Sequence, residues 1–286
     1  MTYTVRAVRD AAIDALRAVG ISDPDVDAEL LIGHVLGMSR GQVQAGAVTG
    51  AAVSEEHAAS VTDAVTRRSR REPLQHITGS APFRSLDLAV GQGVFVPRPE
   101  TETVAQYAID SLRVVASPEP IAVDLGTGSG AIALALATEV RHALVYGVEN
   151  SPAAFEWTQQ NFRRYGHDNA HAIFADLADA LPELNGTVDV VVSNPPYIPA
   201  DAIPRDPEVR LFDPEHALYG GRDGLDVVRE VSLTAWRLLH PGGALVMEHG
   251  ELQGEAIREL LTGDGWHATA THQDFLGRDR ATTALR

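Results

Sequence analysis

From Pro120 onward, short apolar runs alternate with stretches whose apolar residues keep helical spacing, and that alternation admits few folds. Strands are expected at 121–125, 143–148, 171–175, 188–193, 244–248, 267–271 and 281–285. Helices are expected at 132–138, 152–165, 225–239 and 253–261. The expected class is therefore α/β, with a seven-stranded, doubly wound, Rossmann-like domain. Ligands of such sheets bind outside the carboxyl ends of the strands, so the residues that follow each strand carry the functional information.

The chain before this point reads differently. Residues 1–72 are expected to form a small helical domain: Val8, Ala12, Ala15, Leu16 and Val19 keep helical spacing up to Gly20, and 25–36 repeats the pattern before Gly37. A third helix at 54–71 opens on Ser54 with Glu55 and Glu56 in its first turn. Residues 73–99 form a linker, in which 83–90 and 94–96 around Gly91-Gln92-Gly93 suggest a β-hairpin. The segment Pro97-Arg98-Pro99-Glu100-Thr101-Glu102 then opens the domain 100–286, its prolines stiffening the approach and its carboxylates suiting a helical first turn.

Charge and composition exclude several chemistries. All 23 basic residues are arginine, so neither Schiff-base chemistry nor a phosphate-loop lysine is available. The absence of cysteine removes disulfides, thiolate metal sites and a thiol nucleophile. A formal charge of −16 opposes direct binding to long nucleic acid, which rewards a basic surface. The densest positive charge, Arg67-Arg68-Ser69-Arg70-Arg71, suits either a helix C-terminus or a contact with RNA or an RNA-bound partner, and the spacing leaves both readings open. No apolar run approaches the roughly 20 residues of a membrane span, and the first residues lack a signal-like apolar region, so a cytoplasmic protein is expected. His167 and His171 are four apart without the acidic partner of a zinc helix and read as surface residues; no metal site is expected.

Four post-strand segments carry chemistry. After the first strand comes Asp124-Leu125-Gly126-Thr127-Gly128-Ser129-Gly130, a tight turn that lets a ligand press on main chain next to a helix N-terminus. Its G-x-G-x-G spacing lacks the third glycine of the dinucleotide pattern, and Asp124 would repel a pyrophosphate. Both features favour S-adenosyl-L-methionine, whose amino-acid end is zwitterionic and whose sulfur is positive. After the second strand, Glu149 is placed to accept ribose hydroxyls, or else neighbours the N-cap of the next helix. After the third, Asp176 could accept from an adenine amino group while Leu177 covers the ring; a helix-starting aspartate is the alternative. After the fourth comes Asn194-Pro195-Pro196-Tyr197. Two prolines cannot continue a strand ladder, so the chain leaves the sheet in a stiff turn that offers fixed acceptors and an aromatic plate to a planar N–H₂ group.

Together these segments resemble the release-factor glutamine methyltransferase family, often called PrmC or HemK. The likeness spans nearly the whole chain and adds Glu72 to Gly79, Phe95 to Glu102, Asp213 to Leu218, Gly220 to Leu225, Pro241-Gly242-Gly243 and Leu276 to Arg280; its specific part is Pro-Arg-Pro-Glu-Thr-Glu together with Asn-Pro-Pro-Tyr. Two positions depart from the family pattern: His76 stands where tyrosine is common, and Glu149 where aspartate is common. The resemblance implies a class I methyltransferase domain behind a helical, substrate-docking domain. It implies cofactor contacts from Gly126, Gly128, Glu149, Leu177 and Asn194, and a glutamine held by Asn194, Pro195, Pro196 and Tyr197. Asp124, Thr127, Ser129, Gly130 and Asp176 complete the candidate cofactor site.

The implied reaction transfers a methyl group from S-adenosyl-L-methionine, leaving S-adenosyl-L-homocysteine, to the glutamine N5 of the Gly-Gly-Gln motif in class I peptide-chain release factors. Asn194 Oδ1 and the Pro195 carbonyl are the candidate acceptors for the amide N–H bonds, with Tyr197 positioning the amide plane. Methylation of a ribosomal-protein glutamine is the near alternative. A DNA amino-methyltransferase is the more distant one, since a flipped base offers a similar planar amine. A monomer is expected.

Overall fold

The computed structural model describes residues 3–286. Contacts divide it into two compact units: one contains the residues up to Gly79 together with Arg205–Phe212, the other Ser80–Pro204 and Asp213–Arg286.

The first unit is helical: β1 (Tyr3–Thr4), α1 (Val5–Ala18), α2 (Pro24–Leu36), α3 (Arg40–Thr49), β2 (Ala52–Val53), α4 (Glu55–Ser69) and α5 (Leu74–Thr78). Val5, Leu16, Leu31, Ile32 and Val43 are fully buried and form its core. The pattern 25–36 became α2, ended by Gly37 in a left-handed conformation. Helix α3 was not expected, because Gln42, Gln44, Gly41 and Gly46 leave it little apolar periodicity. It forms through a capping box, in which the Ser39 hydroxyl accepts from Gln42 N–H and the Gln42 side chain accepts from Ser39 N–H.

Three of the four arginines at the end of α4 are engaged inside this unit. Arg67 pairs with Glu72 at 2.5 Å; Arg68 pairs with Asp27 at 2.6 Å and Glu208 at 2.8 Å; Arg71 donates to the Val19 and Gly20 carbonyls. Glu208 belongs to a helix of the inserted segment, distant in sequence. Arg67 and Arg68 lie in the last turn of α4, where the helix C-terminus reading puts them.

In the second unit a hairpin, β3 (Ser80–Phe83) with β4 (Leu86–Ala89), precedes α6 (Thr101–Arg113). It turns at Arg84-Ser85, not at Gly91-Gln92-Gly93 as expected. A Cβ on Gly91 would lie 2.5 Å from the Trp157 ring and one on Gly93 2.9 Å from Ala153, so these glycines serve a close approach to a helix. Val94 and Val96 are buried without being strand.

The sheet then alternates as expected: β5 (Ile121–Leu125), α7 (Ala131–Glu139), β6 (Leu144–Glu149), α8 (Pro152–Tyr165), β7 (Ala170–Phe174), β8 (Val188–Ser193), α9 (Pro207–Phe212), α10 (Asp226–Leu238), β9 (Leu239–Glu248), α11 (Gly254–Gly263), β10 (His267–Gln273) and β11 (Asp279–Leu285). Strand order is β10-β11-β9-β8-β5-β6-β7, with β11 antiparallel to both neighbours and the remaining pairs parallel. The α/β, Rossmann-like expectation is borne out. Short helix α9 was missed because Pro-Glu-Val-Arg-Leu-Phe is too brief to show a period.

Val123, Leu125, Val190, Val191, Val192, Leu245 and Val246 are completely buried, so the central strands lie between two apolar layers. The chain winds outward from β5 to β6 and β7, then returns to β8 on the other side of β5. This reversal makes the β5–β8 carboxyl edge the topological switch point, where a crevice opens in doubly wound sheets.

Candidate active site

Both principal motifs sit at that edge. Leu125 and Ser193 are register partners in β5 and β8, and the Ser193 hydroxyl donates to the Leu125 carbonyl at 2.7 Å. The glycine loop and the Asn-Pro-Pro-Tyr turn therefore leave the sheet side by side.

The loop is held from beneath. Gly126 and Thr127 N–H both donate to the Val148 carbonyl at 2.9 Å. Asp124 Oδ2 accepts from the Thr127 hydroxyl at 2.6 Å and from Ala133 N–H at 3.1 Å. Burial pushes the Asp124 carboxyl up to about 7; those two donors oppose the rise, and the Glu149 charge adds to it. Its other oxygen, Oδ1, is buried without a hydrogen-bond partner.

The glycines divide by what a side chain would meet. At Gly126 (φ +75°) and Gly128 (φ +55°) an added Cβ would enter open space, whereas at Gly130 (φ +86°) it would lie 2.8 Å from the Phe162 ring. Gly130 thus packs the loop onto α8, while Gly126 and Gly128 leave a main-chain cradle. A zwitterionic ligand with a cationic sulfur fits this combination of bare cradle and unpartnered buried carboxylate oxygen. Thr127 and Ser129 are buried, and the Thr127 hydroxyl is spent on Asp124, so these residues offer the cradle their main chain.

Glu149 ends β6 and is 7% exposed. Oε2 accepts from Gly128 N–H at 2.9 Å and Oε1 from Ser151 N–H at 2.8 Å. Both sequence readings thus meet in one side chain: Glu149 supports the helix entry at Ser151, and each oxygen keeps a second lone pair for a hydroxyl donor. Asp176 is exposed, accepting from Asn150 Nδ2 and Ala178 N–H at 3.1 Å each, and Leu177 packs against the core.

The Asn-Pro-Pro-Tyr turn is fixed by contacts that the residue types alone did not reveal. A Cβ on Gly220 would overlap the Pro196 carbonyl oxygen, and one on Gly224 would overlap that of Tyr197, so only glycine permits the packing. Gln253 Nε2 donates to the Tyr197 carbonyl at 2.9 Å, and Ile198 bridges to Tyr219. Burial and the Glu248 charge raise the pKa of the Tyr197 phenol, and the neighbouring Arg280 opposes the rise. The ring is the part suited to lie against a planar group.

Each polar residue of Pro-Arg-Pro-Glu-Thr-Glu now has a partner. Arg98 pairs with Asp213 at 2.6 Å, Glu100 with Arg278 at 2.9 Å, and Glu102 accepts from Arg84 N–H at 2.9 Å. Thr101 Oγ1 lies 3.4 Å from Asn194 Nδ2. Glu102 lies in the first turn of α6 as expected, and both carboxylates also tie in neighbouring loops. Glu248 was not singled out, although it ends β9 as Glu149 ends β6, which was the available signal. Burial pushes Glu248 up to about 7, opposed by the neighbouring Thr101 hydroxyl and by the charge of Arg280.

His167 and His171 are both exposed, and among the described residues no group of side chains could hold a metal. A separate open groove of about 600 Å³ runs beside β7, lined by Tyr146, Phe162, His167 and His171 among others, and contains no residue of the loop or turn.

Sequence comparison agrees with this geometry. Residues 7–79 match the model described as the PrmC N-terminal domain, and residues 118–276 match a methyltransferase domain. The release factor glutamine methyltransferase of Streptomyces coelicolor is 46% identical over 277 residues, covering 96% of this chain and 95% of the relative. That of Bifidobacterium longum is 45% identical over 284 residues, covering 96% and 97%. The chain belongs to the release factor glutamine methyltransferase family.

Within this family the α/β unit keeps a widely shared fold. A methyltransferase from Pyrococcus furiosus superposes with a TM-score of 0.51 at 20% identity, covering 71% of this chain and 89% of that one. The stretch preceding the sheet is what the PrmC N-terminal model adds, and release factor glutamine methyltransferases match this chain through both parts.

Proposed function

We propose that this protein methylates the side-chain amide nitrogen of the glutamine in the Gly-Gly-Gln motif of class I peptide-chain release factors, using S-adenosylmethionine. The observation that carries the reading is the adjacency, across the β5–β8 register, of an open glycine cradle and a turn built to present acceptors to an N–H₂ group. Gly126, Gly128, Glu149 and Leu177 hold the cofactor, with Asp176 beside them and the loop main chain of Thr127, Ser129 and Gly130 completing the cradle over Asp124. Asn194, Pro195, Pro196 and Tyr197 hold the glutamine.

The bound cofactor supplies an electrophilic methyl group on a sulfonium. The chain's contribution is orientation and charge. An amide nitrogen is a poor nucleophile because its lone pair is delocalised into its carbonyl, so alignment of that lone pair matters greatly. Asn194 Oδ1 and the Pro195 carbonyl accept the two N–H bonds, whose polarity rises as positive charge grows on nitrogen. The Tyr197 ring covers the amide plane. The methylated nitrogen is acidic and releases its proton to these acceptors or to water.

A DNA substrate is disfavoured by the charge of −16 and by the internal pairing of Arg67, Arg68 and Arg71. A ribosomal-protein substrate gains no support from relatives that span the chain and carry the release factor name. A monomer is the working form we propose. No helix among the described residues is long and apolar enough to cross a membrane, consistent with action on release factors in the cytoplasm.

Labelled S-adenosylmethionine, purified release factors and this protein are incubated together, and the modified residue is mapped by mass spectrometry. Label on the Gly-Gly-Gln glutamine is expected. Absence of label there, with label on a ribosomal protein or on DNA, would replace the reading.

A further inference from the structure

An asparagine amide shows either its oxygen or its NH₂ group to a crevice, and only the oxygen can serve a glutamine N–H. Asn194 is therefore useful in one of its two orientations. Nothing in Asn-Pro-Pro-Tyr itself selects between them.

Thr101, the first residue of α6, supplies a selecting contact. It is 4% exposed, and its Oγ1 lies 3.4 Å from Asn194 Nδ2, a long hydrogen bond. A threonine hydroxyl both donates and accepts, so a third group must set its direction. Glu248 occupies that place. Strand β9 pairs with β8 through Met247 and Ser193, so Glu248 and Asn194 are the next residues along their neighbouring strands. Glu248 is 2% exposed, is paired in register with Ala281 of β11, and its carboxyl lies beside the Thr101 hydroxyl, which favours its charged form. When charged, that carboxylate can only accept, which favours the arrangement in the structure, where the Thr101 oxygen accepts from Asn194 Nδ2.

We propose that Thr101 is a positioning residue for methyl transfer, which fixes the Asn194 amide so that Oδ1 faces the substrate nitrogen. The Thr101 oxygen takes the Asn194 Nδ2 hydrogen and leaves the Asn194 oxygen available before substrate arrives. Preorganisation of this kind lowers the barrier because the acceptor needs no turning as charge develops. It also gives the threonine of Pro-Arg-Pro-Glu-Thr-Glu a chemical reason to lie in that segment. The proposal rests on glutamine methylation as the activity, and its test carries one measurement independent of that reading.

Thr101→Val keeps the shape and removes the hydroxyl; Thr101→Ser keeps the hydroxyl and removes the methyl group. With release factor as substrate, Thr101→Val is expected to lower kcat about tenfold or more, as for a misdirected transition-state partner, with KM and cofactor affinity within about twofold of the parent. Thr101→Ser is expected to restore kcat. In parallel, hydrogen exchange of the Asn194 side-chain amide, read by NMR, is expected to accelerate in Thr101→Val and to return in Thr101→Ser. Parental kcat in Thr101→Val, equal impairment of the serine variant, or unchanged amide exchange would overturn the proposal. If the parent protein itself failed to methylate release factor, the substrate reading would fall, while the exchange measurement would still decide whether Thr101 holds Asn194.

Discussion

Two glycines of one loop should fail in different ways when each is replaced by alanine. Gly130→Ala places a Cβ 2.8 Å and 3.2 Å from two atoms of the Phe162 ring and 3.3 Å from Leu134, in a backbone with φ +86°. The left-handed conformation costs an L-residue about 1–2 kcal/mol, and overfilling a packed site costs about 1–3 kcal/mol. Phe162 is buried at 7% exposure, so a total loss of about 2–5 kcal/mol is expected. Gly128→Ala, at φ +55°, meets nothing within 4 Å and bears only the conformational cost, about 1–2 kcal/mol. Its new methyl group, however, occupies the cradle. Urea unfolding should show the larger midpoint shift for Gly130→Ala with an unchanged slope. Titration calorimetry with S-adenosylmethionine should show at least a tenfold loss of affinity for Gly128→Ala, where steric exclusion acts directly on the ligand. Parental affinity in Gly128→Ala, with stability lowered as much as in Gly130→Ala, would refute the division of the loop into a packing glycine and a ligand-facing one.

Asn194→Ala should reduce methyl transfer about 10²-fold or more through loss of a transition-state acceptor, measured as single-turnover transfer of label to release factor; a parental rate would move the acceptor elsewhere. Asp124 has a folded pKa near 7 against an ordinary value of 3.8, so its contribution to stability is complete below about pH 4 and is lost as pH rises through 7. Asp124→Asn should remove that fall, so the parent should lose ground to the variant in urea midpoint between pH 5 and pH 8, and a pH-independent difference would refute the assignment. Glu208 runs the other way: despite burial, the Arg68 guanidinium that donates to its carboxylate holds it well below the ordinary carboxylate range. Glu208→Gln should lower the melting temperature at pH 7, a deficit that shrinks as pH falls below about 4.5 toward 2; a constant deficit would show that the charge on Arg68 is not what Glu208 serves.

What was legible before any coordinates was local or periodic. Strands announced themselves by apolar runs, the glycine loop by its place after a strand, and the turn by two prolines that no ladder accepts. Even Glu149 could be placed, because a carboxylate closing an apolar strand is a pattern of adjacent residues. The misreadings were equally physical. Gly91-Gln92-Gly93 was taken for a hairpin turn because a turn and a close approach both ask for glycine, and only Trp157 and Ala153 distinguish them. Helix α3 escaped because its stability rests on a cap, and α9 because six residues hold less than two turns.

The sequence by itself determined the sheet and the place of the glycine loop, Glu149 and the Asn-Pro-Pro-Tyr turn at the ends of their strands, since these follow from neighbours along the chain. Tertiary structure alone decided where the charges go. Arg68 meets Glu208 across 140 positions, and Thr101 meets Asn194 across 93. Hydrogen bonds act over a few ångströms of space and carry no signature along the chain. The arginine cluster therefore remained ambiguous until its partners were seen, and the orientation of the Asn194 amide had no visible cause until folding brought Thr101 and Glu248 beside it.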